Sequence, residues 1–171
     1  MDFLKLAKDR YSCKKFNPEK KVPREVLDKI LQAGQLAPTA KNSQPQHIYV
    51  MQSQDALQTV DSLTPCRYGA PLVLAVTYDE NQHFTYPGGK YTSGVEDATI
   101  VTTHMMLAAA AAGVDSCWLN FFDPDKAAEA LQLPKNEKVV LLMDLGYAAE
   151  GVRPTPTQEK TNPQEELVSN R

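Results

Sequence analysis

The sequence predicts an α+β or α/β domain built on a central sheet of about four strands. Three observations carry that expectation. Four short runs rich in Val, Ile, Leu and Tyr alternate with segments whose apolar residues recur at helical spacing. One of the four, residues 71–78 (Pro-Leu-Val-Leu-Ala-Val-Thr-Tyr), is almost continuously apolar, as a strand buried on both faces should be. The longest helical pattern, residues 94–113, becomes Ala-rich at 108–112, where small side chains let another element approach closely.

Taken in order, residues 2–9 predict a short helix with Phe3, Leu4 and Ala7 on one face. Pro23 opens a second helix at a position where its missing N–H is harmless. Val26, Leu27, Ile30, Leu31 and Gly34 follow at helical spacing, and Pro38 closes the segment. Residues 47–52 predict a strand, 54–63 a short helix and 71–78 the buried strand. Residues 79–94 break the pattern with a polar, aromatic-bearing loop long enough to suggest a lid or a substrate contact, although a plain surface loop is an equal alternative. The long helix 94–113 precedes a strand at 115–120, a helix at 124–131 and a last strand at 138–147. Residues 148–171 hold three prolines and little periodicity. They are expected to be disordered or to form an arm lying on something else, such as a second subunit.

Composition narrows the function. The 171 residues are 42% hydrophobic and 23% charged, enough for one domain with a real core, taken as 1–171. A net charge of −3 argues against nucleic acid as the main partner. Eight Lys/Arg nevertheless crowd residues 1–24 against three acids, which is either a solvated basic helix or a local anion site. Cys13, Cys66 and Cys117 are odd in number and far apart, which fits a reducing compartment. With no apolar leader and no membrane-length run, the expected location is the cytoplasm, away from membranes.

Several chemistries find no support. His47, His83 and His104 lack metal-ligand spacing, so no metal is expected. There is no nucleophile elbow, P-loop or dinucleotide fingerprint. Cys13 lies among cations that would lower its pKa, but no base is near it in sequence.

Two segments remain. Arg10-Tyr11-Ser12-Cys13-Lys14 places two permanent cations and a hydroxyl within five residues, a set suited to a phosphate or a polar ring edge. Pro38-Thr39-Ala40-Lys41-Asn42-Ser43-Gln44 offers hydrogen-bonding side chains directly after a helix. At this spacing, and together with Gly113-Val114 through Trp118-Leu119-Asn120, they resemble the FMN-binding signature of the nitroreductase family. The resemblance continues through Asp97 and its helix, Gly146-Tyr147, and Asn162-Pro163-Gln164-Glu165-Glu166-Leu167-Val168, and so spans nearly the whole chain.

The resemblance implies a nitroreductase-like α+β fold with a central mixed sheet of four to five strands, flanked by helices, in an intertwined homodimer with a C-terminal arm. It implies FMN at the subunit interface, touched by both chains. Arg10, Tyr11, Ser12 and Lys14 would come from one subunit, with Arg10 and Ser12 toward the phosphate and ribityl chain. Lys14 would sit near the pyrimidine edge, where a cation favours the anionic reduced ring. Pro38, Thr39, Ala40, Asn42 and Gln44 would come from the other subunit, and Trp118, Leu119 and Asn120 would lie along the ring. A basic residue from the C-terminal region would meet the phosphate; Arg153 and Lys160 both qualify, with Lys160 favoured. NADH or NADPH would reduce the flavin, and a nitroaromatic, quinone or similar acceptor would take the same site in ping-pong order. No catalytic side chain is expected. The chain departs from the family at Asn120-Phe121, where relatives often carry glycine or glutamate. At Pro65-Cys66-Arg67-Tyr68 the usual Asn/Lys pair is missing, with Arg67 as a substitute. A flavin carrier or sensor without turnover, a flavin-fragmenting or dehalogenating relative, and a small anion-binding protein are the alternatives.

Overall fold

The computed structural model describes residues 2–158 and 160–171. Its chain order is α1 (Phe3–Asp9), α2 (Arg24–Gln35), β1 (Gln46–Met51), α3 (Gln54–Leu63), β2 (Leu72–Asp79), α4 (Gly94–Ala111), β3 (Asp115–Leu119), α5 (Pro124–Ala130), β4 (Glu137–Gly146) and α6 (Gln164–Leu167). The fold is α+β. The four strands stand in the order β1-β2-β4-β3. All three pairings are antiparallel, so the expected mixed sheet is antiparallel among the described residues. Among the described residues the one parallel contact is an isolated bridge between Ser12 and Ser116 of β3. It is too short to add a fifth strand.

Alternation along the strands divides the core into two layers. Leu72, Leu74 and Val76 of β2 and Leu141, Met143 and Leu145 of β4 face α2 and α4. Val73, Ala75 and Leu142 point the other way, toward Val60 of α3 and the buried Cys13 and Phe16. Both faces of β2 are thus covered, which explains its unbroken apolar run. Helices α2 and α4 approach closely at Gly34, where a Cβ would stand 2.8 Å from Cγ of Met105. Leu27 and Ile30 bury the rest of that helix face.

Helix α4 ends in a Schellman turn. Gly113 takes φ 72°, Val114 N donates to Ala109 O at 2.9 Å and Gly113 N to Ala110 O at 3.1 Å. The turn sends the chain back as edge strand β3. Helix α1 buries nothing, and Phe3 and Leu4 are 61% and 78% exposed. Among the described residues no helix is long and apolar enough to cross a membrane.

Residues 79–94 are ordered as a small hairpin. Thr85 bridges Thr92, Tyr86 N donates to Tyr91 O, and Ser93 N donates to Phe84 O, both at 2.9 Å. The first half of the tail packs down: Phe16 bridges Ala148, and Ala149 N donates to Lys15 O at 3.0 Å. Residues 160–171 are exposed throughout and contain the four-residue helix α6.

Candidate functional site

The site residues fall into two groups, one near each end of α4. The first begins where Arg10 caps α1 and the chain turns extended. Cys13 N donates to Ser116 O at 2.9 Å, and Phe16 N to Tyr68 O at 3.0 Å. Because Cys13 and Phe16 plug the core, strand-like alternation turns Ser12 and Lys14 outward. Ser12 and Lys14 line a cavity of about 310 Å³ with Trp118, Leu119, Asn120 and Phe121. The Trp118 indole donates to Asn120 Oδ1 at 2.6 Å, and Asn120 Nδ2 donates to Val140 O at 3.1 Å, which fixes that wall. Phe121 is 73% exposed at its rim.

Arg10 and Tyr11 line a neighbouring cavity of about 620 Å³ with Pro154, Gln158 and Thr161 of the tail. Gln158, which sequence reasoning missed, borders both cavities and donates from Nε2 to Ser12 O at 2.7 Å. Lys160 and Arg153 are both exposed on this stretch. Among the described residues, neither Arg10 nor Lys14 forms an ion pair.

The second group is the loop after α2. Lys41, Asn42 and Gln44 all take left-handed φ values of 53°, 54° and 48°. Such conformations are uncommon for residues other than glycine and persist only where neighbours impose them. Here Gln44 N donates to Thr39 Oγ1 at 3.0 Å, and Asn42 N to Thr39 O at 2.9 Å. Ala40 N donates to Asp97 Oδ1 at 2.8 Å. Asp97, 2% exposed in the first turn of α4, also accepts from Ser93 Oγ at 2.7 Å. That hydroxyl accepts from Phe84 N at 3.0 Å. One carboxylate therefore ties the 39–44 loop to the hairpin. Its signal in the sequence was an acid placed four residues after a serine at a helix start.

Two expectations are corrected. Arg67 does not face the cavity, because it forks onto Asp61 with two bonds of 2.6 Å and donates to Ala70 O at 2.7 Å. The Cys13 thiol is pushed up, not down, because burial outweighs its hydrogen bond to the Lys15 carbonyl and Asp115 adds to the rise. Burial, and then the neighbouring Asp144, push Cys117 up to about 12. Asp144 is itself wholly buried with no partner on either oxygen among the described residues, and burial pushes it up to about 9.

A model of the nitroreductase family matches residues 7–68 and 64–147. The chain belongs to the nitroreductase family. A nitroreductase family protein from Clostridium difficile 630 superposes with a TM-score of 0.91 at 34% identity, covering 99% of this chain and 98% of that one. A protein from Methanothermobacter thermautotrophicus, assigned as an NADH dehydrogenase/NAD(P)H nitroreductase, is 28% identical over 159 residues, 88% of this chain and 79% of its own. A protein of Exiguobacterium sibiricum 255-15, assigned as a nitroreductase and solved in complex with FMN, shares the fold at a TM-score of 0.84 and 21% identity. That match covers 100% of this chain and 98% of the other.

In this nitroreductase chain the two groups do not meet. Arg10 and Tyr11 border a cavity of about 190 Å³ with Ala110, Gly113 and Ser116 at the C-terminal end of α4, whereas Ala40 is held by Asp97 at its N-terminal end. Asp97 and Ala110 stand thirteen positions apart along α4, an axial rise of about 20 Å.

Proposed function

We propose that this nitroreductase family member is an FMN-dependent oxidoreductase that uses NADH or NADPH to reduce nitroaromatics, quinones or related electron-poor acceptors. The observation that carries the proposal is the pair of cations, Arg10 and Lys14, without an ion-pair partner among the described residues and bordering adjacent cavities beside the wall Trp118–Leu119–Asn120. A guanidinium that forks, a hydroxyl and an ammonium suit a phosphate and a carbonyl-bearing ring, so the donor set fits FMN.

Arg10 and Ser12 would hold the phosphate and ribityl chain, with Lys160 or Arg153 from the tail beside Arg10. The chemistry supplied by bound FMN is acceptance of a hydride from NAD(P)H and its delivery to a second substrate, in ping-pong order. Lys14 would stabilise negative charge at the pyrimidine edge. The Trp118–Asn120 wall, rigid through its two hydrogen bonds, would orient the ring and exclude water from one side. No side-chain acid or base is required, which agrees with the raised, protonated thiols of Cys13 and Cys117.

The separation along α4 supports a homodimer. One ring system does not reach from Arg10 to Asn42 within a chain, whereas a second copy could bring its own 39–44 loop to the Arg10–Lys14 side. The exposed apolar face of α1 agrees with such a partner. The test is the visible spectrum of the purified protein before and after anaerobic NADPH or NADH. Flavin bands that bleach are expected. Bands that persist would favour a carrier, and a protein that stays colourless after incubation with FMN would overturn the reading.

A further inference from the structure

The 39–44 loop carries a cation that neither the fold nor the proposed flavin contacts require. Lys41 lies between Ala40 and Asn42, its backbone is held left-handed, and its side chain is exposed. Its ammonium stands 4.6 Å from the centre of the Phe84 ring. No carboxylate pairs with it among the described residues. An aromatic face attracts a cation but leaves its charge unneutralised. The position is also fixed from both sides. Asp97 holds the loop through Ala40 N and the hairpin through Ser93, and Phe84 is anchored by that same hydroxyl. Phe84 in turn packs on Tyr86, ring centres 5.6 Å apart. The result is an available positive charge against an aromatic wall.

We propose that Lys41 is a specificity-determining residue that selects electron-poor aromatic acceptors bearing a carboxylate or another anionic group. The anion would pair with the ammonium, and the acceptor's ring would lie against the Phe84–Tyr86 wall. The inference rests on the proposed function, since it needs the 39–44 loop to border the flavin. The same ammonium could instead meet the ribose phosphate of NADPH, so the test separates those two anions.

The experiment compares the flavin-loaded wild type with Lys41→Gln and Lys41→Arg. The acceptors are 4-nitrobenzoate and 4-nitrobenzamide, which have nearly the same shape and differ in charge. Lys41→Gln is expected to lower kcat/KM for the anion roughly fivefold, through KM, the scale of one partly exposed ion pair. The amide should stay within about twofold, and Lys41→Arg should restore the preference. Salt should erode the preference of the wild type and not that of Lys41→Gln. A second readout is the binding of benzoate and benzamide to the oxidised holoprotein, followed by the shift in its visible spectrum. Weaker benzoate binding in Lys41→Gln alone is the expected result. Equal losses for both members of each pair would overturn the proposal, as would a loss confined to NADPH relative to NADH. A protein that takes up no flavin would overturn the underlying functional reading instead.

Discussion

The two faces of the sheet handle a buried carboxylate in opposite ways, one at the N-terminal end of α4 and one on the side of α3. At the N-terminal end Asp97 accepts from a backbone amide and a serine hydroxyl, and through them holds two loops in place. On the opposite face Asp144 of β4 lies across from Cys117, wholly buried, with neither oxygen partnered among the described residues. The first region is a closed, preorganised structure that presents Ala40, Lys41 and Asn42 on a rigid backbone. The second is open, with cavities beside Arg10, Ser12 and Lys14 and a tail laid against them. Rigidity is concentrated where a loop must keep an uncommon conformation, and open space lies beside Arg10, Ser12 and Lys14.

The comparison is broken most severely at Asp97. Asp97→Ala leaves the Ala40 amide and the Ser93 hydroxyl without their acceptor, so a loss of about 2–4 kcal/mol in unfolding free energy is expected. Denaturant titration measures it. Limited proteolysis should then cut within residues 84–93 faster than in the wild type. An unchanged midpoint and an unchanged cleavage pattern would show that the two loops hold themselves.

Asp144 sharpens the other side, with a smaller effect. Its carboxyl is pushed up to about 9 in the folded protein, against about 3.9 in an unfolded chain. Above the lower value the unfolded chain releases a proton that the folded protein retains. Stability therefore falls as pH rises toward the upper value. Asp144→Asn removes that titration. We expect it to gain on the order of 2 kcal/mol at pH 8 and to flatten the pH dependence of Tm between about pH 5 and 9. Parallel Tm curves for the two proteins would contradict this account.

Much of the fold was legible because the strands are apolar enough to declare themselves. The run at 72–76 is covered on both faces, and the helices begin beside Pro23, Ser53 and Pro124, where the sequence marks them. The left-handed residues Lys41, Asn42 and Tyr68 were not legible, because none is glycine and their segments are anchored from afar, Ala40 N on Asp97 and Phe16 N on Tyr68 O. The hairpin at 84–93 was hidden for a similar reason, since a buried carboxylate from α4 organises it. At the site, alternation around the buried Cys13 places Ser12 and Lys14 together on the outer side, so their spacing alone was informative. The same alternation sends the Cys13 thiol inward, away from the cations that suggested an acidic thiol. Arg67 misled because its partner, Asp61, lies one helix turn further back than a local reading considers.

The central claim is that Arg10 and Asn42 of the working site come from different subunits. Arg10→Ala and Asn42→Gly should each lose flavin-dependent NAD(P)H oxidation; glycine at 42 removes the carboxamide while tolerating φ 54°. The two variants are then co-expressed in equal amounts. A shared site predicts recovery to about one quarter of wild-type activity, because half of the dimers are mixed and each mixed dimer regains one intact site. Activity no higher than the mean of the two parents would place both side chains in one subunit's site and contradict the account.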